Sequence, residues 1–194
     1  MNINKLPIDC TYHMLTFLPI KKQLLTTLIL DNIDFIKYNN KKNINEIFKR
    51  ACERGHYMVI KKLIKNDKID PSSNTYYAIR WASRNGHIEV VKELLKDSRV
   101  NPAARDNWAI GVASGNGHLK VVKELLKDSR VNPAAGDNYA IQWASRNGHV
   151  EVVKELLKDK RVNPAADDNY AIRWASENGH IEVVKLLENH ISKK

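Results

Sequence analysis

The chain has 194 residues, of which 43% are hydrophobic and 28% charged, the composition of an ordinary soluble globular protein. No apolar run approaches the roughly eighteen residues of a bilayer span, and no charged region leads into an apolar one at the N-terminus, so neither a membrane segment nor a signal peptide is expected. A net charge of +10 raises nucleic acid as a partner class, while Cys10 and Cys52, without metal or disulfide spacing, suit a reducing intracellular, cytoplasmic or nuclear, setting.

The first 45 residues contain no glycine and carry Leu-Pro-Ile-Asp-Cys at positions 6–10. Pro7 and Pro19 each suit the first turn of a helix, which predicts helices near 7–18 and 20–30 and a third near 31–38. Leu6-Pro7-x-Asp9, followed by Met14-Leu15, Phe17-Leu18-Pro19 and Leu24, is similar to the start of an F-box. That resemblance implies a Skp-type adaptor of cullin ubiquitin ligases as a partner, with Leu6, Pro7, Leu15, Leu18 and Pro19 as its contacts. The pattern departs after Pro19, where Lys22 and Gln23 replace the usual acidic residue and leucine and the later Val-Ser-Lys element is missing. The other reading of residues 1–45 is a helical cap over the next unit's apolar edge.

From residue 46 one 31-residue unit occurs five times, at about 46–74, 75–105, 106–136, 137–167 and 168–194. Gly-His marks it at Gly55, Gly86, Gly117, Gly148 and Gly179, proline follows at Pro71, Pro102, Pro133 and Pro164, and Trp recurs at Trp81, Trp143 and Trp174, with Val112 in the middle copy. Each copy reads as two helices and a loop. The first helix begins at Thr75, Asn107, Asn138 or Asn169 as its cap and stops at the glycine of Gly-His. The second carries one apolar stripe, such as Val152, Val153, Leu156 and Leu157, and interleaved charges such as Glu89, Lys92, Glu93 and Lys96. A single pair has too little interior to fold alone, so the copies must stack into an all-α solenoid. Its ends should be polar where stacking stops: Glu188 takes the phase of Leu157, while Glu46 and Arg50 take the phases of Tyr77 and Trp81.

Tyr77-Ala78-Ile79-Arg80-Trp81-Ala82-Ser83-Arg84-Asn85-Gly86-His87, with Val90, Val91, Leu94 and Leu95, resembles the ankyrin repeat unit over about three quarters of the chain. The copies replace the family's T-P-L-H and are two residues shorter than its usual unit, so shortened or differently turned fingers are expected. Asn-rich copies of this length also resemble those of large DNA viruses of amoebae, which suggests a viral protein in a host cytoplasm. The resemblance implies a protein partner held on the concave side by the fingers and by the two residues before Gly-His. Those residues are Arg84 and Asn85, Gly115 and Asn116, Arg146 and Asn147, and Glu177 and Asn178; the fingers include Arg105, Gly136 and Asp167. Comparison of the copies adds the phase of Arg80, Gln142 and Arg173, which varies while Val90, Val91 and Leu94 do not.

Chemistry beyond binding finds little support. Same-phase histidines lie a repeat apart, about 8–10 Å, too far for one zinc ion, and are better read as helix-to-backbone bonds between repeats. Asp167 and Asp168 adjoin a helix start, where capping accounts for them, and no phosphate loop or nucleophile motif occurs. Basic and aromatic residues do not alternate along any stretch, which argues against nucleic acid. The expectation is therefore a monomeric, non-enzymatic scaffold without cofactors, with a ubiquitin-ligase substrate receptor as the competing function.

Overall fold

The computed structural model describes residues 41–66, 69 and 75–192. Among them are ten helices and no strand, and Met1–Asn40 forms a separate unit outside the described residues, together with the F-box-like positions Leu6, Pro7, Leu15, Leu18 and Pro19. The helices form five pairs: α1 (Lys41–Arg54) with α2 (Tyr57–Leu63), α3 (Thr75–Arg84) with α4 (Ile88–Leu95), α5 (Ala104–Gly115) with α6 (Leu119–Leu125), α7 (Ala135–Arg146) with α8 (Val150–Leu156), and α9 (Ala166–Glu177) with α10 (Ile181–Ile191). First helices pack on first helices and second on second, giving two layers. This is the helix-pair solenoid that the 31-residue period predicts.

The core follows the invariant phases. Ala78, Ile79 and Ala82, and their equivalents Ala109, Ile110, Ala113 and Ala140, Ile141, Ala144, are buried where first helices meet. Val90, Val91 and Leu94 and their equivalents close the space from the second layer. Burying such a leucine contributes about 2 kcal/mol, so each repeat gains more from its neighbours than from itself. Cys52 is fully buried, and desolvation pushes its thiol pKa up.

The Gly-His element explains itself geometrically. Gly117 has φ +74, and a Cβ there would lie 2.7 Å from Nδ1 of His149 in the next repeat. The histidine therefore needs both the left-handed turn and the missing side chain. Nε2 of His87, His118 and His149 lies 2.8, 2.8 and 3.0 Å from the carbonyls of Glu53, Arg84 and Gly115 in the preceding repeat. Because a carbonyl only accepts, each ring donates through Nε2–H. The expected bonds from histidine to backbone between repeats are present.

The loops differ from expectation. Asn107, Asn138 and Asn169 were expected to cap helices, but each ends a run of three left-handed residues: Arg105–Asn107, Gly136–Asn138 and Asp167–Asn169. The regular helix begins only at Trp108, Tyr139 or Tyr170. Oδ1 of Asn107 accepts from the Asn132 N–H at 2.7 Å, and Oδ1 of Asn138 accepts from the Asn163 N–H at 2.8 Å, tying each turn to the loop of the next repeat. The same correction applies to Asp167 and Asp168, whose short side chains tolerate the left-handed region rather than capping a helix. These three-residue left-handed turns stand where the resemblance places the fingers.

A second tie was not read from the sequence. Asp97, Asp128 and Asp159 accept from the N–H and guanidinium of Arg99, Arg130 and Arg161, two residues on. Held this way, Arg99 donates to the carbonyls of Ile64 and Ile69, and Arg130 to that of Val100, each in the previous repeat. The Asp-x-Arg spacing recurs every 31 residues and was its only signal.

Candidate interaction face

In each first helix, the residues facing away from the second layer lie three, four and seven apart. In α3 they are Tyr77, Arg80, Trp81 and Arg84; α5, α7 and α9 carry the same phases. Aromatic rings run along this face from repeat to repeat. Tyr77 lies 5.6 Å from Trp81, Tyr139 lies 5.8 Å from Trp143, and Tyr170 lies 4.0 Å from Trp174, all between ring centroids. Between repeats, Trp108 meets Trp143 edge-on at 5.5 Å. The Trp phase, expected to pack between repeats, is half-buried.

Guanidinium groups lie over these rings. Arg84 is 5.1 Å from the Trp81 ring and Arg80 is 5.4 Å from it, with Arg80 also 5.9 Å from Trp108. Arg146 reaches across to Trp174 at 4.7 Å, and Arg173 covers Tyr170 at 5.3 Å. Such cation–π contacts hold a long side chain in place without neutralising it. Basic and aromatic residues therefore do interleave, across the stack rather than along the chain, and sequence order hid this.

The residues expected to bind a partner do not all reach the surface. Arg84, Arg105, Arg146, Asp167, Arg173 and Glu177 are exposed, and Arg80 is half-buried. Asn85 and Asn147 are exposed, yet their amides donate to the carbonyls of Glu53 and Gly115 in the preceding repeat. Asn116 and Asn178 are likewise exposed and donate back to Val112 and Trp174 of their own helices. Gly136, the remaining finger position, is half-buried.

Two positions are corrected. Gln142 is only 2% exposed, and its amide donates to the Asp137 carbonyl at 2.7 Å, where it holds the left-handed turn rather than a partner. Variation among copies did not mean surface there, because a buried polar side chain can differ wherever it finds a local bond. Gly115 is buried beneath Trp143: a Cβ on it would lie 3.1 Å from that ring.

The middle repeat departs from its neighbours along this stripe, with Gly111, Val112 and Gly115 where α3 has Arg80, Trp81 and Arg84. A Cβ on Gly111 would have no atom within 4 Å. The gap lies in a shallow recess, open to solvent, lined by Ile110, Val112, Tyr139, Ala140 and the rings of Trp108 and Trp143. Asp106 and Pro133 stand among its lining residues.

The opposite layer has a different character. Lys92, Lys96, Lys127, Lys154 and Lys158 each pair with a glutamate three residues earlier. Lys123 and Lys154 also reach Glu155 and Glu182 of the following second helix, at 3.7 and 3.8 Å. At these six lysines charge is neutralised locally. No group of three or more metal-ligating side chains occurs among the described residues, and no helix there is long and apolar enough to cross a membrane.

The family model for ankyrin repeats (3 copies) matches residues 20–106 and 110–194, beginning inside the segment that the sequence sets apart as a cap or F-box-like element. No curated protein matches the chain. The match spans most of the sequence, agrees with the paired helices and Gly-His turns, and implies a scaffold for protein–protein interaction: the chain belongs to the ankyrin-repeat family.

Proposed function

We propose that this protein is a non-enzymatic scaffold that binds a partner protein on the exposed face of its first helices, the side that the family resemblance marks as concave. The observation that carries this reading is the contrast between the layers. Six second-helix lysines (Lys92, Lys96, Lys123, Lys127, Lys154 and Lys158) are paired with glutamates, whereas Arg84, Arg146 and Arg173 lie on aromatic rings with no ion pair among the described residues. Aromatic rings and oriented arginines are the side chains that dominate binding energy at protein interfaces. The cytoplasm is the proposed setting.

The test is affinity capture from cell lysate with three proteins: the full-length chain, R84E/R146E, and K92E/K154E on the other layer. Partners retained by the full chain and by K92E/K154E but lost from R84E/R146E support the proposal. Loss from K92E/K154E alone would move the site to the second layer.

The ligase-linked version rests on Leu6-Pro7-x-Asp9 and the leucines that follow. It predicts that the full chain retains a Skp-type adaptor and that a truncation starting at Asn43 does not. Failure of the full chain to retain that adaptor removes the ligase reading and leaves the scaffold reading intact.

A further inference from the structure

Eight of the arginines contrast in two sets of four. Arg50, Arg99, Arg130 and Arg161 each have a carboxylate partner within 3 Å. Arg80, Arg84, Arg146 and Arg173 have none among the described residues; they share the first-helix face and rest on its rings. Two donors at the same place, Nε of Arg80 and Nε1 of Trp81, are buried without an acceptor. A ring beneath a guanidinium fixes its plane and leaves its N–H fork to bond a carboxylate. The face is thus arranged to receive several separated negative groups.

We propose that the partner docks here as an extended acidic segment of protein. Its carboxylates meet Arg80, Arg84, Arg146 and Arg173, and one of its apolar side chains lies against the shallow recess at Gly111. This deepens the protein-binding reading above and rests on it. The recess takes the apolar group because its walls are Trp108, Tyr139 and Trp143, while the Asp106 carboxylate at its lining opposes an anion. Nucleic acid fits less well. Asp106, Asp137 and Asp168 recur one repeat apart in the left-handed turns, with Asp167 beside the last, and a continuous phosphate backbone would run against that row. A polypeptide can instead carry acids opposite the arginines and neutral or basic residues opposite the aspartates.

The probe is a fluorescent random copolymer of glutamate and tyrosine, followed by anisotropy on the full-length chain. A lysine–tyrosine copolymer serves as the reversed-charge control and an oligothymidylate as competitor. The proposal expects the glutamate copolymer to bind, the lysine copolymer not to, and R84A/R146A to weaken binding at least about tenfold with an unchanged circular dichroism spectrum. Both arginines are exposed, so the double variant folds. Gly111→Gln supplies the second readout: glutamine is the better helix former, so the melting temperature rises while binding falls. The proposal is overturned if the glutamate copolymer does not bind, if K92A/K154A weakens it as much as R84A/R146A, if Gly111→Gln leaves its affinity unchanged, or if the oligothymidylate binds more tightly. Absence of copolymer binding while lysate partners still require Arg84 and Arg146 would overturn this inference alone, not the protein-binding reading.

Discussion

Ser83, Ser114 and Ser145 share one phase, and each hydroxyl is buried without a hydrogen-bond partner. A buried hydroxyl that bonds nothing costs its lost hydration, so Ser145→Ala should stabilise the protein by about 0.5–1 kcal/mol in urea unfolding. A loss of stability would show that the hydroxyl is bonded in solution. The glycines of Gly-His offer a paired test. Gly117 combines φ +74 with the approach of His149, whereas Gly179 has φ +75 and nothing within 4 Å of its Cβ position. Gly117→Ala should therefore cost about 2–3 kcal/mol and Gly179→Ala about 1 kcal/mol, the backbone cost alone. Equal costs would mean that the histidine contact contributes nothing. The sequence shows the Gly-His phase but cannot show that the glycine makes room for the histidine of the next copy, because that reason lies between repeats.

At the scale of elements, the loops depart most from the sequence reading. Helix pairs are legible because their apolar phases repeat, and the stop at Gly148 follows from the conformation glycine allows. The left-handed turns are not legible: Asn, Asp and Gly before a helix serve equally as a cap or as a left-handed run. The left-handed backbone, with the bonds from the Asn132 and Asn163 N–H groups to Asn107 and Asn138, distinguishes the two. The Asp-x-Arg clamps carry a pH signature. Hydrogen bonds from Arg99, Arg130 and Arg161 hold the carboxyls of Asp97, Asp128 and Asp159 below the usual carboxylate range, against a smaller opposing effect of burial. Because these pKa values are lower folded than unfolded, the stabilisation is complete above about pH 4 and disappears as pH falls through the folded values. Unfolding free energy should thus drop below about pH 4, and Arg130→Ala should flatten that drop. At neutral pH the same variant should lose about 1 kcal/mol, since the guanidinium is partly screened by solvent. A variant that keeps the full acid dependence would show that the clamp does not set it.

For the whole molecule, periodicity decides the fold and conceals the face. A stack of near-identical copies puts each residue beside its counterpart one repeat away, so contacts such as Arg146 on Trp174 join residues far apart in the chain. The first and last repeats differ from the middle ones. Arg50 pairs with Glu46 in the Tyr and Trp phases of the first repeat, Glu188 is exposed in the phase of half-buried Leu157, and Ile181 is 66% exposed where Val150 is partly covered. The middle repeat departs most from the others, with Gly111 and Val112 lining a recess beside Trp108, Tyr139 and Trp143. The substitutions are visible in the sequence, but the recess is not, because Trp143 comes from the next copy. The most direct measurement is site-specific photocrosslinking in intact cells, with a photoreactive residue at Arg84, Arg146 or Glu177 on the first-helix face and at Lys92, Lys123 or Lys154 on the second. The account predicts that one protein is captured from the first three positions and not from the last three. Capture of that protein from the second-helix positions alone would contradict it.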